Sequence, residues 1–184
     1  KRTLLELGGK SPQIVFADCP DLDAAAEAAA WGVFFNQGEV CTAASRLLVQ
    51  DSIKDDFLRR VTEVARTIKV GDPLDPSTRY GAMISERQMN TALRHIDQSK
   101  SEGLNLVLGG ERVMAETGGF YVEPTIFDGV HSGSTIAREE IFGPVLGVMT
   151  FKDAAEAVQI ANDTVYGLAS GLWTADLDRA MSMT

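Results

Sequence analysis

Excess positive charge is what this sequence most clearly lacks. Its 184 residues carry 17 Lys and Arg against 26 Asp and Glu, a formal net charge of −9. No cationic surplus is left to neutralise a phosphate backbone or an anionic lipid surface, so general nucleic-acid and membrane-surface binding are excluded as readings. Cysteine and histidine are scarce too, with two of each. Cys19 and Cys41 make no disulfide framework, which suits a cytoplasmic thiol setting. His95 and His131 cannot build a His-rich metal site, and no metal is expected. No apolar run approaches the roughly 18 residues of a membrane span, and no signal peptide is visible at the start. Repeats and low-complexity tracts are also missing.

What is present is a core. Hydrophobic residues make up 45% of the chain, enough for one sizeable domain. The pattern alternates strands with helices. "TLLEL" and "QIVFA" read as strands, joined by a tight turn or hairpin at Gly8-Gly9. An alanine-rich helix follows, with Asp21 as its N-cap. "SRLLVQ" reads as a buried strand. The next helix places Ile53, Phe57, Val61, Val64 and Ile68 on one face. Ser52 and Asp55 form its capping pattern, and Asp55–Arg59 and Asp56–Arg60 its solvated i,i+4 pairs. A Pro- and Gly-rich loop leads to a surface helix over 85–102. Beyond it come the strand "NLVLGG", extended pieces, the strand "GPVLGVMTF" and a helix capped by Asp153 with Glu156. A last strand, "GLASGLWT", precedes the start of one more helix. This order predicts an α/β fold around a mostly parallel sheet. The strand-like first residues and the helical last ones point to a domain cut from a longer polypeptide.

Three stretches could carry chemistry. "GGKS" resembles the end of a phosphate-binding loop, but that motif needs a glycine where Leu4 stands. The residue of interest is Glu6, alone among Leu4, Leu5 and Leu7. It is either an outward-pointing strand residue or a desolvated carboxylate suited to base catalysis. Cys41 lies in "FFNQGEVCTAASR", among small residues that let a backbone approach a ligand. It is either a buried small hydrophobe or an exposed nucleophile. "AREEIFGPVL" is either a charged turn or a carboxylate and aromatic ring offered to a hydroxylated ligand. Asp18, Asp21 and Asp23 lack the glycine and distal glutamate of a calcium loop. A Cys–His dyad hydrolase could draw only on His95, on a surface helix, or His131, in a loop, and neither is a convincing base.

"LELGGKSP" and "NQGEVCTA" together resemble the glutamate and cysteine signatures of the aldehyde dehydrogenase superfamily, while "EEIFGPV" and "ANDTVYGLASGLWT" resemble two of its further stretches. The likeness covers essentially the whole chain. It implies a Rossmann-like three-layer αβα catalytic domain over residues 1–184, with the coenzyme-binding and oligomerisation segments outside it. It implies Cys41 as nucleophile and Glu6 as the base that activates water. Glu140, Phe142, Leu7 and Gly8 would meet NAD or NADP, and Val40 and Thr42 would line the substrate tunnel. Lys10 is left as a structural surface lysine. The implied parent is a cytoplasmic homodimer or homotetramer acting on a small aldehyde, with an amino- or γ-glutamylamino-aldehyde the best match. A non-catalytic domain of the same fold and a cysteine-dependent esterase are the alternatives. Segments outside the chain should cover apolar surface and a sheet edge, so this piece is expected to self-associate.

Overall fold

A computed structural model describes residues 1–183. Eight strands and six helices form: β1 (Pro12–Val15), α1 (Leu22–Phe34), β2 (Arg46–Gln50), α2 (Lys54–Arg66), α3 (Glu86–Ser101), β3 (Asn105–Leu108), β4 (Arg112–Val113), β5 (Tyr121–Val122), β6 (Thr125–Asp128), α4 (Thr135–Arg138), β7 (Val145–Phe151), α5 (Ala154–Asn162), β8 (Gly171–Trp173) and α6 (Leu177–Ser182). Six strands make one sheet in the order β3-β6-β7-β2-β1-β8, and β4 with β5 makes a small ribbon. Every pairing in the large sheet is parallel except β3 with β6.

The alternation of side chains along the central strands builds the three layers. On β2, Leu47 and Val49 join Val15 in a cluster with Ala25, Ala29, Val33, Phe57 and Val61 of α1 and α2. Leu48, between them, points the other way and joins Ile14, Met89, Ala92, Ile96 and Ala157, from β1, α3 and α5, and Phe16 just past β1. One strand thus serves two cores, which is why it reads as an uninterrupted apolar run. Fully burying each such side chain contributes about 1.5–3 kcal/mol. The alanines of α1 let that helix lie close to the sheet, and Asp21 caps it by accepting from the Ala24 N–H at 2.9 Å. Asp153 caps α5 in the same way, accepting from Glu156 N–H at 3.0 Å.

Three expectations fail. Thr3–Leu7 forms no strand, and Gly8-Gly9 therefore join no hairpin. Leu4, Leu5 and Leu7 are exposed, and a strand without a neighbour for its backbone groups is not stable. Ser52 does not cap α2. It lies inside a 3-10 turn, Asp51–Ile53, so the boundary falls after its hydroxyl. Asp55 pairs with Lys54 rather than Arg59, whose guanidinium goes to Asp56 and Glu63. The Asp56–Arg60 pair forms as expected.

Candidate active site

Three stretches far apart in sequence meet because of the sheet's order. Glu6–Gly9 lead into β1, Cys41 leads into β2, and Glu140–Phe142 lead into β7. These strands are neighbours and parallel, so their entering ends lie on one edge. The loop before β8 arrives at the same edge, with Tyr166 and Leu168 beside Gly8 and Gly9.

Contacts at this edge are close. Glu140 Oε1 accepts from the Gly9 N–H at 3.0 Å. Glu140 Oε2 lies 2.4 Å from the point a Cβ on Gly8 would occupy. A Cβ on Gly9 would come within 2.2 Å of the Cys41 carbonyl oxygen. Only a residue without a side chain lets the glutamate loop pass the cysteine loop at that distance. A narrow crevice is lined by Gly9, Gly38, Val40, Glu140, Phe142 and Gly143. The Cys41 loop is itself held: Asn36 and Gln37 adopt left-handed backbone (φ 49° and 58°), and Glu39 accepts the Ile84 N–H with both carboxylate oxygens, at 3.2 and 3.1 Å. Burial pushes the Glu39 carboxyl above its ordinary range, with the Ile84 N–H opposing the shift.

Of the residues singled out in the sequence, Val40 and Cys41 are half-buried and Thr42 is exposed. Glu140 is half-buried, and Phe142 is 38% exposed with φ 55°. Gly8, Gly9, Cys41, Glu140 and Phe142 are brought together. Glu6 and Leu7 lie on the exposed stretch just before them. His95 is not a surface residue: it is buried on α3, its Nε2 3.9 Å from Glu139 Oε2 and its Nδ1 without a protein partner. Burial lowers its pKa. His131 lies past the exit end of β6, where its Nδ1 accepts from Gly133 N–H. Among the described residues neither histidine hydrogen-bonds Cys41, so the dyad gains no support. No cluster of three or more His, Cys, Asp or Glu able to hold a metal occurs among the described residues.

Lys10 is not a surface lysine either. It is 2% exposed, its Nζ has no hydrogen-bond partner, and desolvation first, then the Arg46 charge, push its pKa down to about 7. Arg46, 1% exposed, explains why the backbone at Lys10 is fixed. Its Nε donates to the Lys10 carbonyl at 2.8 Å, and its Nη1 and Nη2 donate to the Ile160 and Ala161 carbonyls at 2.9 and 2.7 Å. Those carbonyls lie in the last turn of α5, where a cation is favoured; the Ile160 oxygen also accepts from the Asp163 N–H at 3.2 Å. Sequence reasoning passed over Arg46, Glu39 and Tyr166. Arg46 is one cation in an apolar strand, the same signal of a misplaced charge that singled out Glu6.

The aldehyde dehydrogenase family profile matches residues 1–184. The chain belongs to the aldehyde dehydrogenase family. An acetaldehyde dehydrogenase of Pseudomonas aeruginosa is 50% identical over 97% of this chain and 37% of its own length. Among solved structures, an indole-3-acetaldehyde dehydrogenase complexed with NAD+ superposes with TM-score 0.95 at 60% identity, over 96% of this chain and 36% of that one. A γ-glutamyl-γ-aminobutyraldehyde dehydrogenase from Burkholderia cenocepacia superposes with TM-score 0.94 at 55% identity, over 97% and 36%. The chain thus spans a little over a third of the aldehyde dehydrogenases it matches. The three-layer α/β architecture agrees with these neighbours.

Proposed function

We propose that residues 1–184 form the thiol-bearing catalytic domain of an NAD(P)-dependent aldehyde dehydrogenase. The observation that carries this reading is the convergence of Cys41, the Gly8-Gly9 turn and Glu140 at the entering ends of three adjacent parallel strands. A family member with an intact thiol and an intact upstream carboxylate has what acid formation needs.

The fit to a dinucleotide is tested by the Gly8-Gly9 turn. Its missing side chains let Glu140 and the Cys41 loop close onto the backbone, which gathers a carboxylate able to accept hydrogen bonds from hydroxyls and an aromatic ring that is partly exposed. Glu140 would hold the ribose, and Phe142, Leu7 and Gly8 would face the nicotinamide. NAD or NADP, when bound, supplies the hydride acceptor for the oxidation.

The chain's own residues do the rest. The Cys41 thiolate adds to the aldehyde carbon, giving a thiohemiacetal on sulfur. The Cys41 backbone N–H supports the oxyanion. Loss of hydride and a proton leaves the acyl group as a thioester on Cys41. Glu6 takes a proton from water, whose oxygen attacks the thioester carbon. The C–S bond breaks, the thiol is restored and the carboxylic acid leaves. Val40 and Thr42 shape the entrance for the aldehyde. An amino- or γ-glutamylamino-aldehyde is the substrate class favoured, supported by the 55% identity to the Burkholderia enzyme. The setting is cytoplasmic and the parent a homodimer or homotetramer.

The intact enzyme bearing this domain tests the reading. Cys41→Ala should abolish aldehyde oxidation, and thiol alkylation should do the same unless NAD or NADP protects. Glu6→Gln should retain a single burst of coenzyme reduction and then stall at the thioester. Oxidation at the normal rate by Cys41→Ala would refute the assignment.

A further inference from the structure

Glu39 stands two residues before Cys41, and the reaction above gives it no part. Its main chain is fixed by Asn36. The Glu39 N–H donates to the Asn36 carbonyl at 3.0 Å, and Asn36 Nδ2 donates to the Glu39 carbonyl at 3.1 Å. Its half-buried side chain reaches out of the cysteine loop altogether. Both carboxylate oxygens accept from the Ile84 N–H, 45 positions away, at 3.2 and 3.1 Å. The Ile84 side chain is 80% exposed, so the contact uses its backbone. Ile84 immediately precedes Ser85, the N-cap of α3, whose Oγ accepts from the Gln88 N–H at 3.2 Å. Met89, Ala92 and Ile96 seat that helix in the core. The nucleophile's loop is thereby tied by a side chain to a packed, rigid element.

The same helix end holds the other wall of the crevice. Gln88 Nε2 donates to the Ile141 and Phe142 carbonyls, both at 2.8 Å, and Phe142 keeps its left-handed backbone there. The stretch from Ile84 to Gln88 therefore brackets the crevice, bonded to the cysteine loop at one end and to the Phe142 loop at the other. We propose that Glu39 is a positioning residue whose bond to the Ile84 N–H fixes the Cys41 loop against the Phe142 loop, setting the spacing across which the oxidation occurs. This deepens, and rests on, the reading of Cys41 as nucleophile and Phe142 as facing the coenzyme. A misplacement near 1 Å of a reacting group costs about a hundredfold in rate. Without the Glu39 carboxylate, the cysteine loop loses this hydrogen bond to the end of α3 and shifts. The Gln88 bonds stay, so the Phe142 wall does not shift with it.

The test compares Glu39→Ala, Glu39→Gln and Glu39→Asp in the intact enzyme. In the absence of coenzyme, Glu39→Ala should open the cysteine loop locally, and iodoacetamide should add to Cys41 about three- to tenfold faster. At saturating NAD+, the burst of coenzyme reduction should slow about 10- to 100-fold, with a further slowing when the aldehyde carbon carries deuterium. The Kd for NAD+ should change by no more than about twofold, which places the loss on the chemical step. Glu39→Gln offers a carbonyl oxygen to the same N–H and should bring both rates back to within about threefold of the parent. Glu39→Asp, one methylene shorter, should fall between the two. Parent-like burst and alkylation rates in Glu39→Ala overturn the proposal. So does a Glu39→Gln enzyme as impaired as Glu39→Ala, because charge rather than the hydrogen bond would then be responsible. A loss residing wholly in NAD+ affinity also overturns it. Should Glu39→Ala fail to fold, parent-like rates in Glu39→Asp reject the proposal. Cys41→Ala tests the parent reading separately. Normal oxidation there removes the nucleophile, whereas an inactive Cys41→Ala beside a parent-like Glu39→Ala rejects only the present inference.

Discussion

A lysine with no partner in a protein interior works against folding whenever it is charged, and Lys10 shows by how much. Its folded pKa, about 7, lies below its ordinary 10.5. The unfolded chain therefore binds more protons between those values, and stability rises with pH across that window. Below pH 7 the full penalty is present, roughly 3–5 kcal/mol by the size of the shift; above about 10.5 it is gone. Lys10→Met should consequently be more stable than the parent chain at pH 6, with the gap shrinking by more than half at pH 9.5. Urea unfolding at both pH values measures this, and an equal gap at each would rule it out. The sequence could not announce this lysine. Its burial depends on Arg46 reaching back to its carbonyl, 36 positions away, and forward to Ile160 and Ala161, 114 and 115 positions away. His95 was more accessible to reasoning, because Met89, Ala92, His95, Ile96 and Ser99 share the buried face of α3 at helical spacing. Cys41 and Glu6 stood out as residues at odds with their neighbours, and it was the family likeness that gave them roles.

Among elements, the entering ends of β1, β2 and β7 decide where chemistry can occur. The strands themselves were plain in the sequence as short apolar runs, and so were the helices, two of them with their Asp21 and Asp153 caps. The order of the strands was not, since adjacency of β7, β2 and β1 is a tertiary choice. Thr3–Leu7 misled for a related reason: an apolar run is a strand only where a neighbour completes its ladder. The close passage of Gly9 past Cys41 gives a direct test. Gly9→Ala places a methyl group 2.2 Å from the Cys41 carbonyl oxygen, so one of the two loops must shift. On the proposed mechanism a displacement near 1 Å should lower turnover about 10- to 100-fold with the circular dichroism spectrum unchanged. Turnover within twofold of the parent enzyme would show that the approach is not needed.

Across the whole molecule, several large apolar side chains stand exposed. Leu4, Leu5 and Leu7 are exposed beside the site, and Val165 and Leu177 on the segments flanking β8. Among the described residues the short β8 is paired only with β1, which leaves its other side open as a pairing edge. With 36–37% of its relatives' lengths represented, the chain by itself should associate. Sedimentation velocity should show a concentration-dependent shift to larger species, and the same preparation should not reduce NAD+ with an aldehyde. A strictly monomeric chain would contradict the first expectation, and sustained turnover the second.

The run of left-handed backbone at Asn36 and Gln37, continued by Gly38 at φ 73°, sets two selection pressures against each other. Such a conformation costs a non-glycine residue about 1 kcal/mol or more, so a library screened only for heat resistance should gather glycine at Gln37. The same change loosens the backbone four residues before the nucleophile. A library screened for rate should keep a side chain there, and the two searches would separate at a single codon.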